Sequence, residues 1–498
     1  MLLSCMGHPL LHEINTRCWL RSLAEEQGRP VTLESVPDSE FDRWKQLGFT
    51  HIWLMGIWTT GPKSRSHALH NPSLRQRYTE LLPGWQEEDV PGSPYAIADY
   101  EVPADLGGEA GLKKFRLRLN GHGLKLVLDF VPNHVGLDHP WVESWPELLV
   151  HSSARRDGTF QERTLRGTLW IAHGKDPYFG PWTDTVQLDY RNPATRTAMI
   201  QVLRSIARRC DGVRCDMAML LLNGVFQKTW THFPANHASA EGEFWSEAIS
   251  AVKADNSEFL FIAEAYWGLE GKLQSLGFDY TYDKDSYDLL VERRYSEFQR
   301  HLLDNPPEYL ARSVHFLENH DEKRISSILS LEEERAAALV MIGLPGMRLL
   351  YEGQMQGVKI QTPVQLGRWP REKAVPQIEE MYFNLLTSLR KSAVGKGEGK
   401  VLQPQAAWDG NPTMQNFVVV QWKKVDWKID VVVVNLASHR GQCRIWLEEP
   451  DLKRHDWEMR DLLGNECHMR SGAEMVSQGL YLDLPEYGAQ VFRFTVKA

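Results

Sequence analysis

Apolar, β-branched runs recur from the start of the chain to about residue 390, and stretches with helical spacing separate them. Eight are evident: HEINTRCWL (12–20), HIWLMGI (51–57), LKLVLDFV (124–131), GVRCDMA (212–218), FLFIAEA (259–265), FDYTYD (278–283), HFLENHD (315–321) and MRLLYEG (347–353). Amphipathic segments lie between them, at 38–47, 111–119, 193–209 and 243–254. Strands buried on both faces read as continuous hydrophobic runs. Regular alternation of such runs with helices predicts an α/β chain whose parallel strands close into a (β/α)8 TIM barrel.

Several of the runs end in charge. Functional groups in such a barrel sit at the C-terminal ends of the strands, on one rim. The assignment puts Asp129, Asn133 and His134 after strand three, and Arg214 and Asp216 at strand four. Glu264 ends strand five, and His320 and Asp321 end strand seven. Strands four and five are neighbours, so Asp216 and Glu264 face one mouth. Two carboxyls about 5–5.5 Å apart suit retaining glycoside hydrolysis, one as nucleophile and one as acid and then base. Arg214, two residues before Asp216, points to the same side and is expected to hold it ionised. Glu264 follows the apolar run FLFIA, where desolvation keeps a proton on it.

One connection breaks the rhythm. Residues 135–185 lack periodicity and are rich in Trp, Gly and Pro, among them Trp141, Trp145, Trp170, Pro181 and Trp182. A loop of that length predicts a small functional subdomain. SAVGKGEGK (392–400) reads as a boundary. The runs beyond it, at 417–422, 429–438, 442–449 and 479–496, lack intervening helices and predict an antiparallel β-sandwich. The expected division is a barrel from 1–134 and 186–392, an insertion from 135–185, and a sandwich from 393–498.

A net charge of −9 and a pI near 6.1 exclude the basic face of a nucleic-acid or anionic-membrane binder. The six cysteines, Cys5, Cys18, Cys210, Cys215, Cys443 and Cys467, form neither a CxxC pair nor a zinc spacing. The N-terminus has no basic region followed by an apolar core. The longest apolar candidate for a membrane span in the sequence, 336–347, is interrupted by Gly343, Pro345 and Gly346. A reducing cytoplasm is the expected location. GxSxG, GxxxxGK[ST] and HExxH motifs are lacking. His232 and His237 have no metal spacing and read as exposed loop residues.

DFVPNH (129–134), GVRCD (212–216), Glu264 within FIAEA, and ENHD (318–321) resemble the four signature motifs of the α-amylase family, glycoside hydrolase family 13. SPYAIADY (93–100) is similar to its tyrosine segment, VQLDYRNP (186–193) to the motif closing its domain B, and GLPGMRLLYEG (343–353) to its last strand. The resemblance implies a barrel with domain B inserted after strand three and a β-sandwich domain C. It implies Asp216 as nucleophile, Glu264 as acid/base and Asp321 as transition-state stabiliser. Tyr95 would stack on the bound sugar, and His134, Arg214 and His320 would hydrogen-bond its hydroxyls or the nucleophile. Asp99 would support this shell, and Tyr266, Trp267 and the domain B aromatics would be sugar platforms.

The implied activity is retaining hydrolysis of α-1,4 bonds in starch- or maltodextrin-type α-glucans, with no cofactor for the chemistry. Alternatives are transglycosylation or isomerisation by the same intermediate, of 4-α-glucanotransferase or trehalose synthase type, and a non-catalytic carbohydrate- or protein-binding barrel. A structural calcium ion would take Asn133 and Asp189. The Lys-His pair that many relatives carry after the nucleophile is replaced by Met217-Ala218-Met219-Leu220. The valine often found beside the nucleophile in α-1,6-specific members is also missing, which favours α-1,4 bonds.

Overall fold

The computed structural model describes residues 7–234, 241–424 and 428–497; Cys5, the N-terminal leader reading and His237 lie outside them. Eight parallel strands close a barrel: β1 (Leu10–Asn15), β2 (His51–Met55), β3 (Lys125–Phe130), β4 (Gly212–Cys215), β5 (Leu260–Ala263), β6 (Tyr280–Tyr282), β7 (Ser313–Phe316) and β8 (Met347–Tyr351). Each pairs with its sequence neighbours, and β8 closes on β1. Every expected run contains a strand, but two boundaries move. The first run divides at Asn15, whose side chain accepts the Cys18 N–H and caps helix α1 (Thr16–Gln27). The seventh strand stops at Phe316, so ENHD lies in the loop beyond it, where a barrel displays its chemistry.

Segment 135–185 has sheets of its own. His134–Gly136 pairs antiparallel with Thr185–Gln187, closing the base of the insertion after β3. Its body holds a three-stranded sheet of His151–Ser152, Gly167–Ala172 and Thr159–Thr164. The base lies so close to the barrel that a Cβ at Gly136 would meet the Ala96 carbonyl oxygen at 2.6 Å. The chain then enters helix α2 (Pro193–Ala207), capped by the Asn192 side chain and started by Pro193.

The C-terminal region is a six-stranded sheet facing a three-stranded one. The single run read over 479–496 is two strands, Leu480–Leu484 and Ala489–Val496, in different sheets. The stretch read as a boundary is also partly structural. Ser392, Ala393 and Val394 are buried, and Glu398–Leu402 is a strand paired with Phe417–Lys424. Its glycines reflect packing: a Cβ at Gly399 would press on the Trp422 ring at 2.8 Å. No described helix is long and apolar enough to cross a membrane.

A buried polar cluster braces the barrel between β6 and β7. Asp283 caps helix α3 (Lys284–Val291), accepting the Ser286 N–H at 3.1 Å and its hydroxyl at 2.6 Å. His301 Nε2 lies 3.1 Å and His315 Nδ1 3.2 Å from the same carboxylate. Burial opposes charge here, but the hydrogen bonds from the two imidazoles prevail and hold Asp283 well below the usual carboxylate range. His301 is raised, Asp283 outweighing its own burial. The depressed carboxyl stabilises the fold above its unfolded value of about 3.9, and the raised imidazole does so below about 6.5. Asp283→Asn therefore lowers stability most between those limits, by on the order of 3 kcal/mol. The deficit narrows on either side, and urea titrations across pH 3–8 check it.

Candidate active site

Arg214 is the centre of the site. It is completely buried on β4, and its guanidinium lies against the rings of Trp53, Tyr95 and Tyr282. Nη1 donates to Asp216 Oδ1 at 2.7 Å, and Nη2 lies 2.7 Å from Glu264 Oε2. Asp129 Oδ1 stands 4.0 Å away; the Trp53 indole N–H donates to it and the Gly56 N–H to Oδ2 of the same carboxyl. One cation thus serves three carboxyls. The pairing of β4 with β5 makes this possible, with Arg214 opposite Ile262 and Cys215 opposite Ala263.

That sharing sets the proton affinities. Burial pushes Glu264 up to about 7, with Asp216 and Asp321 adding to it and Arg214 opposing. Burial likewise pushes Asp129 up to about 7. Asp216 is also raised, where the sequence reading expected Arg214 alone to hold it low. Burial and the nearby Asp321 charge outweigh a guanidinium already divided among three partners.

Glu264 is held at both oxygens. Met217 N–H donates to Oε2 at 2.7 Å, and the Tyr266 hydroxyl donates to Oε1 at 2.7 Å. Met217 adopts φ +43, a left-handed conformation uncommon for a residue with a side chain, at the position whose N–H meets the carboxyl. The residues after it, Ala218–Leu221, form a buried 3-10 turn, so the expected lack of a Lys-His pair corresponds to an apolar wall.

A second relay stands across the mouth. His320 Nδ1 meets Glu13 Oε1 at 2.5 Å, while Nε2 lies 2.7 Å from the Tyr95 hydroxyl and 3.0 Å from Asp321 Oδ2. Burial opposes charge on this imidazole, but Asp321 and Glu13 raise it well above the ordinary histidine value. The resulting cation holds Asp321 below the usual carboxylate range against the effect of burial.

These groups open into a cleft of about 380 Å³ that Tyr95, His134, Asp216, Glu264 and Asp321 line together. His134 is neutral, burial holding it down at about 4. Trp182, from the insertion, covers the His134 side, with ring centroids 5.1 Å apart.

Other expected residues lie elsewhere. Trp267 is 40% exposed at φ +67 and packs edge-on against Tyr178, outside the cleft lining. Tyr266 serves Glu264 rather than offering an open face. Asp99 is exposed and lines a different cavity.

The two calcium candidates do not fit a cation site as placed. Gln187 Nε2 donates to Asn133 Oδ1 at 3.1 Å. Both Asp189 oxygens are taken by Arg191, at 2.8 and 2.7 Å, so its charge is already neutralised. Among the described residues no group of three or more His, Cys, Asp or Glu side chains could hold a metal.

Sequence reasoning missed Glu13, Asp184 and His67. Glu13 was legible as a carboxylate inside an apolar first strand, an expensive place for a charge without a partner. Asp184 and His67 line the cleft from the end of the insertion and from the helix Pro62–His70, whose positions no local pattern disclosed.

A family model described as the α-amylase catalytic domain matches residues 38–384, and the chain belongs to that family. The chain is 27% identical over 286 residues to the α-amylase MalA of Haloarcula japonica, covering 56% of this chain and 38% of that protein. It is 24% identical over 339 residues to the 4-α-glucanotransferase of Thermotoga maritima, covering 63% and 65%. The match to these relatives thus spans less than two thirds of their length. Among solved structures, a maltogenic α-amylase from Thermotoga neapolitana superposes with a TM-score of 0.68 at 19% identity, over 98% of this chain and 99% of that one. Trehalose-6-phosphate hydrolase from Bacillus licheniformis does so at 0.65 and 13%, over 99% of each. At these identities the structural likeness establishes the fold: a TIM barrel with an inserted domain B and a C-terminal β-sandwich.

Glu13→Gln removes one of the two anions that hold the His320 proton. Imidazole NMR is expected to show His320 titrating well above the ordinary histidine value in the wild-type chain and at lower pH in the variant. Asp321 would lose its depressed proton affinity in step.

Proposed function

We propose that the chain is a retaining α-glucan hydrolase that cleaves α-1,4 bonds of starch- or maltodextrin-type substrates. The observation that carries this reading is the grip of one guanidinium on both Asp216 and Glu264. It sets two carboxyls at one mouth around a shared cation, the arrangement that double displacement requires. Asp216 attacks the anomeric carbon while Glu264 protonates the departing glycosidic oxygen, leaving a glycosyl-enzyme. Glu264, then ionised, takes a proton from the water that releases the sugar.

The Tyr266 hydroxyl can donate to the Glu264 carboxylate or rotate to accept from the acid, so both states keep a partner. Asp321, held ionised by His320, places negative charge beside the oxocarbenium-like transition state. Tyr95 offers its ring to the bound sugar, and neutral His134 and charged His320 reach its hydroxyls. The chemistry asks for no cofactor.

A second reading, transfer to a sugar acceptor by the same intermediate, has an observation in its favour. Tyr178 and Trp267 form an exposed aromatic pair at the rim, next in chain to Tyr266, where an acceptor ring could stack in place of water. Products from maltotriose separate the two. Glucose and maltose alone mean hydrolysis, whereas longer oligomers mean transfer.

Asp216→Asn is expected to reduce turnover of a blocked maltooligosaccharide by about three orders of magnitude or more. Equal rates in the two proteins would remove Asp216 from the reaction. The acid must be protonated to act. With Glu264 at about 7, kcat/KM is expected to fall about tenfold per unit above that pH, and to fall again on the acid side, where the raised Asp216 takes up the proton that stops it attacking. Glu264→Gln should abolish that alkaline limb and spare substrates with good leaving groups, as initial rates on nitrophenyl glycosides will show.

A further inference from the structure

On the barrel flank where the insertion departs lies a cavity of about 500 Å³ that shares no lining residue with the cleft. Three stretches build it. Asp99 and Glu101 come from the end of the short strand Ile97–Asp99 and the turn after it, His139 and Trp141 from the start of the insertion, and Ser205 and Arg209 from α2 and the turn beyond.

His139 is the informative residue. It is only 8% exposed, and its Nδ1 accepts the Trp141 N–H at 3.2 Å. Burial holds the ring down at about 4, so at neutral pH its one proton sits on Nε2. That N–H has no protein partner among the described residues, and the residue lines the cavity. Trp141 stands edge-on to the imidazole, 4.6 Å between centroids. Arg209 is committed to the protein, donating to the Tyr100 carbonyl at 2.7 Å and to Glu109 at 3.0 Å. Asp99 and Glu101 are exposed and have no side-chain partner among the described residues.

We propose that this cavity is a second saccharide site that holds a unit of an α-glucan chain away from the place of cleavage. A sugar ring offers hydroxyls that both donate and accept around its rim, with C–H faces above and below. Asp99 and Glu101 accept from the hydroxyls, the His139 Nε2–H and the Ser205 hydroxyl donate to them, and the Trp141 indole covers a C–H face. Other ligand classes match less well. The inward N–H opposes a metal ion, two unpaired carboxylates oppose an anion, and the polar lining opposes an apolar molecule. The ligand class rests on the α-glucan reading above. Occupancy here would tether a long chain and raise its local concentration at the cleft.

Calorimetric titration of maltoheptaose into the Asp216→Asn protein tests it. Two sites per chain are expected, and adding Trp141→Ala should leave one. Asp99→Asn with Glu101→Gln, both at exposed positions, should weaken the second site by about tenfold or more, equivalent to 1.4 kcal/mol. This pair decides the matter if the tryptophan variant does not fold. On the otherwise wild-type chain, Trp141→Ala should leave maltotriose turnover unchanged and raise KM for soluble starch several-fold. One site per chain, or two sites indifferent to both sets of substitutions, overturns the inference. A wild-type chain that cleaves and transfers no α-glucan, yet keeps the Trp141-dependent site, overturns the catalytic reading alone.

Discussion

A single buried cation organises the catalytic mouth. Arg214 has no solvent to share its charge, so its stability depends on the carboxyls around it, and their arrangement depends on Arg214 in return. Removing one member would strand the others in a medium that penalises unpaired charge severely. Charge balance is therefore a constraint on the fold as well as on the chemistry. It requires β3, β4 and β5 to hold register within a fraction of a residue, because a slip of one position would turn the side chains to the opposite face. The His320 relay repeats the pattern with a second cation, held between Glu13 and Asp321.

Much of this was readable in the chain. Most barrel strands announced themselves as apolar runs, because parallel strands covered on both sides have no need of alternation, while FDYTYD was short and half polar. Asp216, Glu264 and Asp321 were legible because carboxylates at the ends of such runs have few structural reasons to be there. The misreadings have physical causes. HEINTRCWL reads as one run, but Asn15 satisfies a free N–H of the following turn and its second half is helix. The glycine- and lysine-rich stretch read as a boundary also contains the strand Glu398–Leu402, and Gly399 lets that strand lie on Trp422.

The contacts that composition and spacing could not disclose are the long-range ones. Glu13 and His320 are separated by 307 positions, and only barrel closure brings them together. The role of Asp189 was hidden by its neighbour: Arg191, two residues on, takes both its oxygens and removes the charge a cation would have sought. Trp267 illustrates a different limit. It sits in a left-handed turn just after Glu264, and its ring lies against Tyr178.

The seat of the C-terminal sheets has a consequence for dissection of the molecule. The Trp422 indole N–H donates to the Gly343 carbonyl at 2.8 Å, at the end of the helix Leu331–Gly343 that leads into β8. Gly343 itself leaves no room for a Cβ beside Val432, which would stand 2.9 Å from it. The last stave of the barrel is thus buttressed by residues far downstream. Cutting the chain near 392 would bare an apolar helix face and orphan a main-chain acceptor, so the barrel is not a module that can be lifted out intact.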